Sequence, residues 1–191
     1  TGNQFARIGI IENPQQFGST NLLTASSASG VYGLRLAGAA TTSMSVAVDG
    51  QITQTVGVGS TAVGQIIGYD PVTKSLQYWQ DRSLATNDSS GNKPSFGYKL
   101  NRFTANPASG GNTNVIVTTT GGTETLSIDT GFTGVSTTVN SRTYYFGQTY
   151  NSGLANPEIK KYSGNIIYID QRPEVTRATN QREDIKIILE F

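Results

Sequence analysis

The stretch SMSVAVDGQITQTVGV, residues 43–58, alternates apolar and polar side chains on both sides of an Asp-Gly pair. A period of two places alternate side chains on opposite faces of a strand, and Asp-Gly suits the tight turn that reverses one. No window of the chain sustains the three-to-four-residue apolar period of a helix. The expectation is therefore a chain of short strands joined by turns. Met44, Val46 and Val48 would pair with a return strand Ile52–Val58 in a hairpin spanning Ser43–Val58.

The same pattern recurs. QIIGYDPVTKSLQYWQ places Gln65–Tyr69 and Ser75–Trp79 on either side of Asp70-Pro71-Val72-Thr73-Lys74, where proline supplies a fixed turn angle. Val115–Thr120 and Glu124–Ile128 flank Gly121-Gly122, a third hairpin. Single strands are expected at Arg7–Ile11, Val31–Leu36, Tyr98–Phe103 and Thr143–Thr149. Gln15–Ser29, Asp81–Pro94, Asn106–Asn112 and Gly153–Lys161 read as loops. Gly57-Val58-Gly59 lacks the strand-to-helix setting of a nucleotide loop and reads as a turn. The fold class is all-β: an antiparallel β-sandwich or a Greek-key, barrel-like domain with long loops. Residues 1–191 form a single domain, with 81–140 a candidate insertion.

Composition narrows the chemistry. Glycine is 22 of 191 residues and charged residues are 14%, against roughly 25% in an average protein. The formal charge of +1 gives no broad basic field for nucleic acid. Absence of cysteine excludes disulfides and thiolate metal sites, and absence of histidine removes the commonest general base and zinc ligand. No window approaches the ~20 apolar residues of a membrane-spanning helix. No signal peptide is visible, and the chain begins with threonine, so a processed product or a fragment is expected. No cofactor, metal, nucleic acid, membrane or small-molecule substrate is expected.

Few residues offer themselves for catalysis. Asp81 and Asp88, in or beside a polar loop, could serve a glycosidase, but solvated loop acids are the simpler reading. Tyr78, Trp79 and the run Tyr144, Tyr145, Phe146 could stack on sugars. Aromatic residues at strand spacing more often fill a core. The stretch between the last two apolar runs differs. It sets Arg172, Arg177 and Arg182 among Asp170, Glu174, Glu183 and Asp184. Mixed signs argue against phosphate binding, whereas arginine forks pair well with carboxylates. From the pattern, this stretch either stitches the chain to its own domain or contacts another subunit.

The run KKYSGNIIYIDQRPEVTRATNQREDIKIILEF resembles the C-terminal signature of a baseplate wedge protein of contractile-tailed bacteriophages. The matching positions are Ser163, Gly164, Tyr168, Asp170, Arg172, Thr176, Arg177, Gln181, Glu183, Asp184, Ile185, Lys186 and Phe191, with Arg182 inside the same run. FARIGIIENPQQFGSTN and IIGYDPVTKSLQYWQDR resemble two further stretches of that family, while 81–140 matches neither. The resemblance implies an all-β structural subunit without catalytic activity. It would work as a homodimer beside other wedge subunits in the virion's tail baseplate, after synthesis in the bacterial cytoplasm. Members are longer at the N-terminus, which implies that Thr1 lies inside a longer product. The alternative is a tail-fibre or carbohydrate-binding module using the tyrosines. Two further expectations follow. Ile166–Ile169 and Ile185–Leu189 would lie in one sheet, and Arg177 would bond a carboxylate, with Asp170, Glu183 and Asp184 nearest in sequence.

Overall fold

Turn chemistry decides where the strands end. The computed structural model describes residues 6–24, 28–37, 44–80, 84 and 100–172. Its strands are β1 (Ala6–Glu12), β2 (Tyr32–Ala37), β3 (Gln51–Gly57), β4 (Ser60–Asp70), β5 (Ser75–Trp79), β6 (Asn114–Thr119), β7 (Gly122–Ile128), β8 (Gly134–Val139), β9 (Arg142–Asn151), β10 (Leu154–Ala155) and β11 (Asn165–Arg172). Asn140 and Ser141 both take positive φ, 51° and 62°, so β8 and β9 are joined by a two-residue turn whose twist matches the strands. Ser152-Gly153 does the same between β9 and β10. The five-residue connection from Asp70 to Lys74 closes as read: Asp70 accepts from Val72 N at 2.9 Å and Thr73 Oγ1 at 2.7 Å, and Lys74 sits at φ 59°.

All strand pairings are antiparallel, and no α-helix occurs among the described residues. Strands run in the order β5-β4-β3-β6-β7-β2, and β2 pairs back with β5, closing a six-stranded barrel. This is the barrel-like, all-β fold expected from the sequence. Period-two alternation fills the barrel. Leu34, Leu36, Ile52, Ala62, Ile66, Leu76, Val115 and Val117 are fully buried, with Tyr78, Leu126 and Ile128 nearly so. Burying each of the larger aliphatic side chains is worth roughly 1.5–3 kcal/mol. Gly64 lies inward among them. A Cβ there would meet Tyr78 Cδ2 at 2.7 Å and Phe103 Cε2 at 3.2 Å, so glycine leaves room for two buried aromatic rings against β4.

The sheet branches at β2. One edge pairs with β5 from Tyr32 to Arg35; the other is shared, with β10 beside Gly33 and Leu34 and β7 beside Leu36 and Ala37. At the fork, Arg35 N bonds Gly153 O at 2.8 Å and Asp129 N bonds Arg35 O at 2.8 Å. The Arg35 guanidinium pairs with Asp129, donates to Thr73 O at 3.1 Å, and lies 4.3 Å from the centre of the Phe132 ring. One side chain thus ties the barrel to the β10-β9-β8 extension. Phe132, Phe146 and Tyr150 pack against one another in that extension.

Two expectations are corrected. β3 is a strand, but its hairpin partner is β4 across the Val58-Gly59 turn. Met44–Ala47 follows the end of β6 instead: Ala47 N bonds Thr118 O and Thr120 N bonds Ser45 O. Asp49-Gly50 does turn the chain, with Asp49 at φ 65°, but Gly50 then bonds along β4 at Ile66. Second, Leu100–Phe103 is not a strand. Buried amides hold that segment: Gln80 donates to Val63 O and Asn101 O, and Gln54 donates to Thr104 O and Asn112 O while accepting from Thr104 N. Of the two runs expected in one sheet, Ile166–Ile169 lies on β11, whose strand partner among the described residues is β1 at the other end of the chain; Ile185–Leu189 lies outside the described residues. Strands β6 and β7, within 81–140, supply two of the six barrel strands.

Candidate functional site: an apolar two-stranded arm and the cleft at its root

β1 and β11 pair only with each other among the described residues, forming a separate two-stranded sheet. Ile8 stands opposite Asp170 and Ile10 opposite Tyr168, so these four share one face. Gly9 opposite Ile169 and Ile11 opposite Ile166 occupy the other. The register shifts between Ile10 and Ile11, leaving Ile167 as the extra residue of a bulge. Ile8, Ile10, Ile11, Ile166, Ile167, Tyr168 and Ile169 are each more than half exposed. A strand of a globular sheet normally exposes one face and buries the other. Here both faces carry apolar side chains, and among the described residues no other strand pairs with either edge. A lone two-stranded ribbon is at best marginally stable in water.

The root of this arm is built firmly. Gln15 N donates to Ser163 Oγ at 2.9 Å, Ser163 Oγ donates to Lys160 O at 2.6 Å, and Lys160 N donates to Gln15 O at 2.8 Å. Lys160 Nζ adds a 2.8 Å bond to Gln15 Oε1. Gly164, at φ 82°, packs so tightly that a Cβ would meet Glu12 O at 2.7 Å. The chain crosses there in the left-handed region at close backbone approach, which glycine alone tolerates.

Beside the root lies a cleft of about 750 Å³, lined by Phe17, Tyr32, Trp79, Ile159 and Tyr162, with Ile11 and Ile166 of the arm forming one wall. Cations rest on its aromatic residues. Lys161 Nζ lies 5.9 Å from the Trp79 ring centre and 5.2 Å from that of Tyr162, and the Arg102 guanidinium is 4.7 Å from that of Tyr32. Burial raises the Tyr32 phenol above its ordinary value, with Arg102 opposing.

Of the residues singled out in the sequence, Tyr168, Asp170 and Arg172 lie on β11. Thr176, Arg177, Gln181, Arg182, Glu183 and Asp184 lie outside the described residues, as do Asp81 and Asp88. The aromatic run divides. Phe146 packs in the extension, Tyr144 is half-buried, and Tyr145 is 78% exposed. Tyr144 and Tyr145 line a second cleft of about 390 Å³ with Asp70 and Gln77. Tyr78 is core, its phenol pushed far up by burial, while Trp79 opens into the larger cleft. Among the described residues, no cluster of three or more His, Cys, Asp or Glu could hold a metal ion, and no helix is long and apolar enough to cross a membrane.

No family model, curated protein or solved structure matches this chain. What the arm and cleft can do chemically is bind apolar protein surface. Sequence reasoning placed β1 and β11 as strands but missed their exposure. The runs Ile10-Ile11 and Ile166-Ile167-Tyr168-Ile169 lack polar alternation, which puts apolar side chains on both faces but by itself points to strands covered on both.

Proposed function

We propose that this protein is a structural subunit of a bacteriophage tail baseplate wedge that assembles through its arm with a second copy and with neighbouring wedge subunits. The observation that carries the reading is the arm: seven large apolar side chains more than half exposed, on both faces of a ribbon fixed at its root. Covering what remains exposed on them would contribute roughly 5–10 kcal/mol. Association costs on the order of 4–15 kcal/mol, so both faces must be used for a stable assembly. The resemblance of residues 160–191 to wedge proteins supports the phage setting. The test is affinity capture from cells infected with the phage that encodes the chain. Baseplate subunits, identified by mass spectrometry, should co-purify with the wild type and not with Ile10→Lys/Ile169→Lys. Equal capture by both would overturn the reading.

A carbohydrate-recognising module is the second reading. It is favoured by exposed Tyr145 and by Tyr144 beside Asp70 and Gln77 in one cleft. Rings and polar groups in that combination suit a saccharide. A bacterial glycan array separates the two: selective retention lost in Tyr145→Ala would favour the module.

A further inference from the structure

The 750 Å³ cleft has a floor and a rim of different chemistry. Its floor is aromatic and anchored in the barrel. The Tyr32 ring stacks on Tyr78 of the core with centroids 5.5 Å apart, and Phe17 meets Tyr32 edge-on at 6.0 Å. Backbone bonds fix the walls: Phe17 N donates to Glu158 O at 2.7 Å, and Lys160 N to Gln15 O at 2.8 Å. The hollow is thus preformed, and its volume is that of natural small-molecule sites.

The rim is cationic. Arg102 Nη1 donates to Gln80 Oε1 at 3.0 Å with its guanidinium over the Tyr32 ring, and Lys161 Nζ lies near the rings of both Trp79 and Tyr162. No aspartate or glutamate lines the cleft among the described residues. Arg35, elsewhere in the molecule, shows the same chemistry completed within the chain: its guanidinium also lies over a ring, and Asp129 pairs with it. Arg102 has its ring and an amide oxygen but no carboxylate among the described residues. An arginine carries five donors in a planar fork that matches a carboxylate, so Arg102 has donors left for an anionic head. A cationic ligand would meet two like charges over the very rings it needs. A neutral apolar one would leave both charges unused.

We propose that this cleft binds a small amphipathic anion, with its apolar body on Tyr32, Trp79 and Ile159 and its carboxylate against Arg102 and Lys161. The inference is independent of what the arm binds, because Ile8, Ile10, Tyr168 and Ile169 are not part of the cleft lining.

Trp79 is the chain's one tryptophan, so its intrinsic fluorescence reports on this cleft without a label. The full-length protein is titrated with decanoate, 1-decanol and decyltrimethylammonium, which share one chain length, each below its micelle concentration. Expected is a saturable change in Trp79 emission with decanoate, at concentrations roughly tenfold lower than with decanol, and none with the ammonium. Arg102→Gln/Lys161→Gln should bring decanoate down to the affinity of decanol while decanol binding stays as in the wild type. Unchanged decanol binding is what a merely structural role for these residues would not give. If the double variant loses decanol as well, Lys161→Gln alone decides, since that side chain is exposed: weaker decanoate supports the proposal and unchanged decanoate overturns it. No saturable change with decanoate, equal binding of all three ligands, or full preference for decanoate in the double variant also overturns it. Ile10→Lys/Ile169→Lys should bind decanoate as the wild type does; loss there would place the ligand on the arm and overturn the cleft as its site. Failure of baseplate capture, by contrast, would leave this result untouched.

Discussion

Gln54 shows what one residue can do in a barrel with an irregular neighbour. It is 1% exposed and makes three hydrogen bonds to the 104–112 segment, which has no strand ladder of its own. Gln54→Leu keeps the bulk and orphans Thr104 N, Thr104 O and Asn112 O. An unmet buried polar group costs roughly 1–3 kcal/mol. With relaxation and water entry for some of the three, the expected loss is about 3 kcal/mol, a fall in Tm of roughly 6–12 °C. Calorimetry of the variant checks it, and an unchanged Tm would show the segment to be held by other means. Tyr150 gives a second residue-level test. Burial raises its phenol from 10.0 to about 12, with Arg35 opposing. The folded protein therefore keeps this proton to higher pH than the unfolded chain does. The associated stability is whole below pH 10 and is lost as pH rises towards 12, about 2 kcal/mol by that point. Tyr150→Phe should flatten the alkaline decline in denaturant-unfolding free energy over that window. An identical decline would place the titration elsewhere.

At the scale of elements, what was legible depended on whether the signal was local. The β4–β5 and β6–β7 hairpins were readable because Pro71 and Gly121 mark short turns between alternating strands. The Ser43–Val58 hairpin misled for the same reason. Asp49-Gly50 does turn the chain, but Val58-Gly59 offers β3 a closer partner, and Met44–Ala47 is left to the end of β6. β8 was missed because GVSTTV carries few large apolar residues, and its turn, Asn140-Ser141, lacks glycine. Barrel closure between β2 and β5 is a contact across more than forty residues, and no local pattern encodes it. The paired β1 and β11 were each visible as strands. Their pairing across the whole described chain was not, nor was their exposure. The arm also offers a test at its own scale. Gly164→Ala must relieve a 2.7 Å approach to Glu12 O from a backbone at φ 82°. The account predicts faster hydrogen exchange of β1 and β11 amides, with barrel amides unchanged. Uniform protection throughout would mean that the root does not depend on this crossing.

For the whole molecule, the account divides labour between a closed barrel and an open arm. A closed barrel leaves no free strand edge among its six strands, so it offers little to a partner through its backbone. The arm is the reverse: two short strands that pair only with each other among the described residues, with half-exposed apolar side chains on both faces. On the proposed reading stability resides in the barrel and association in the arm, so changes in the arm should alter assembly while leaving the barrel intact. Sedimentation equilibrium of the purified full chain over a range of concentrations tests this most directly, comparing wild type with Ile10→Lys/Ile169→Lys, one substitution on each face of the arm. The account predicts a wild type with the mass of two or more chains and a variant with the mass of one, both with the same near-ultraviolet spectrum. A wild type that sediments as a single chain at every concentration, indistinguishable from the variant, would contradict it.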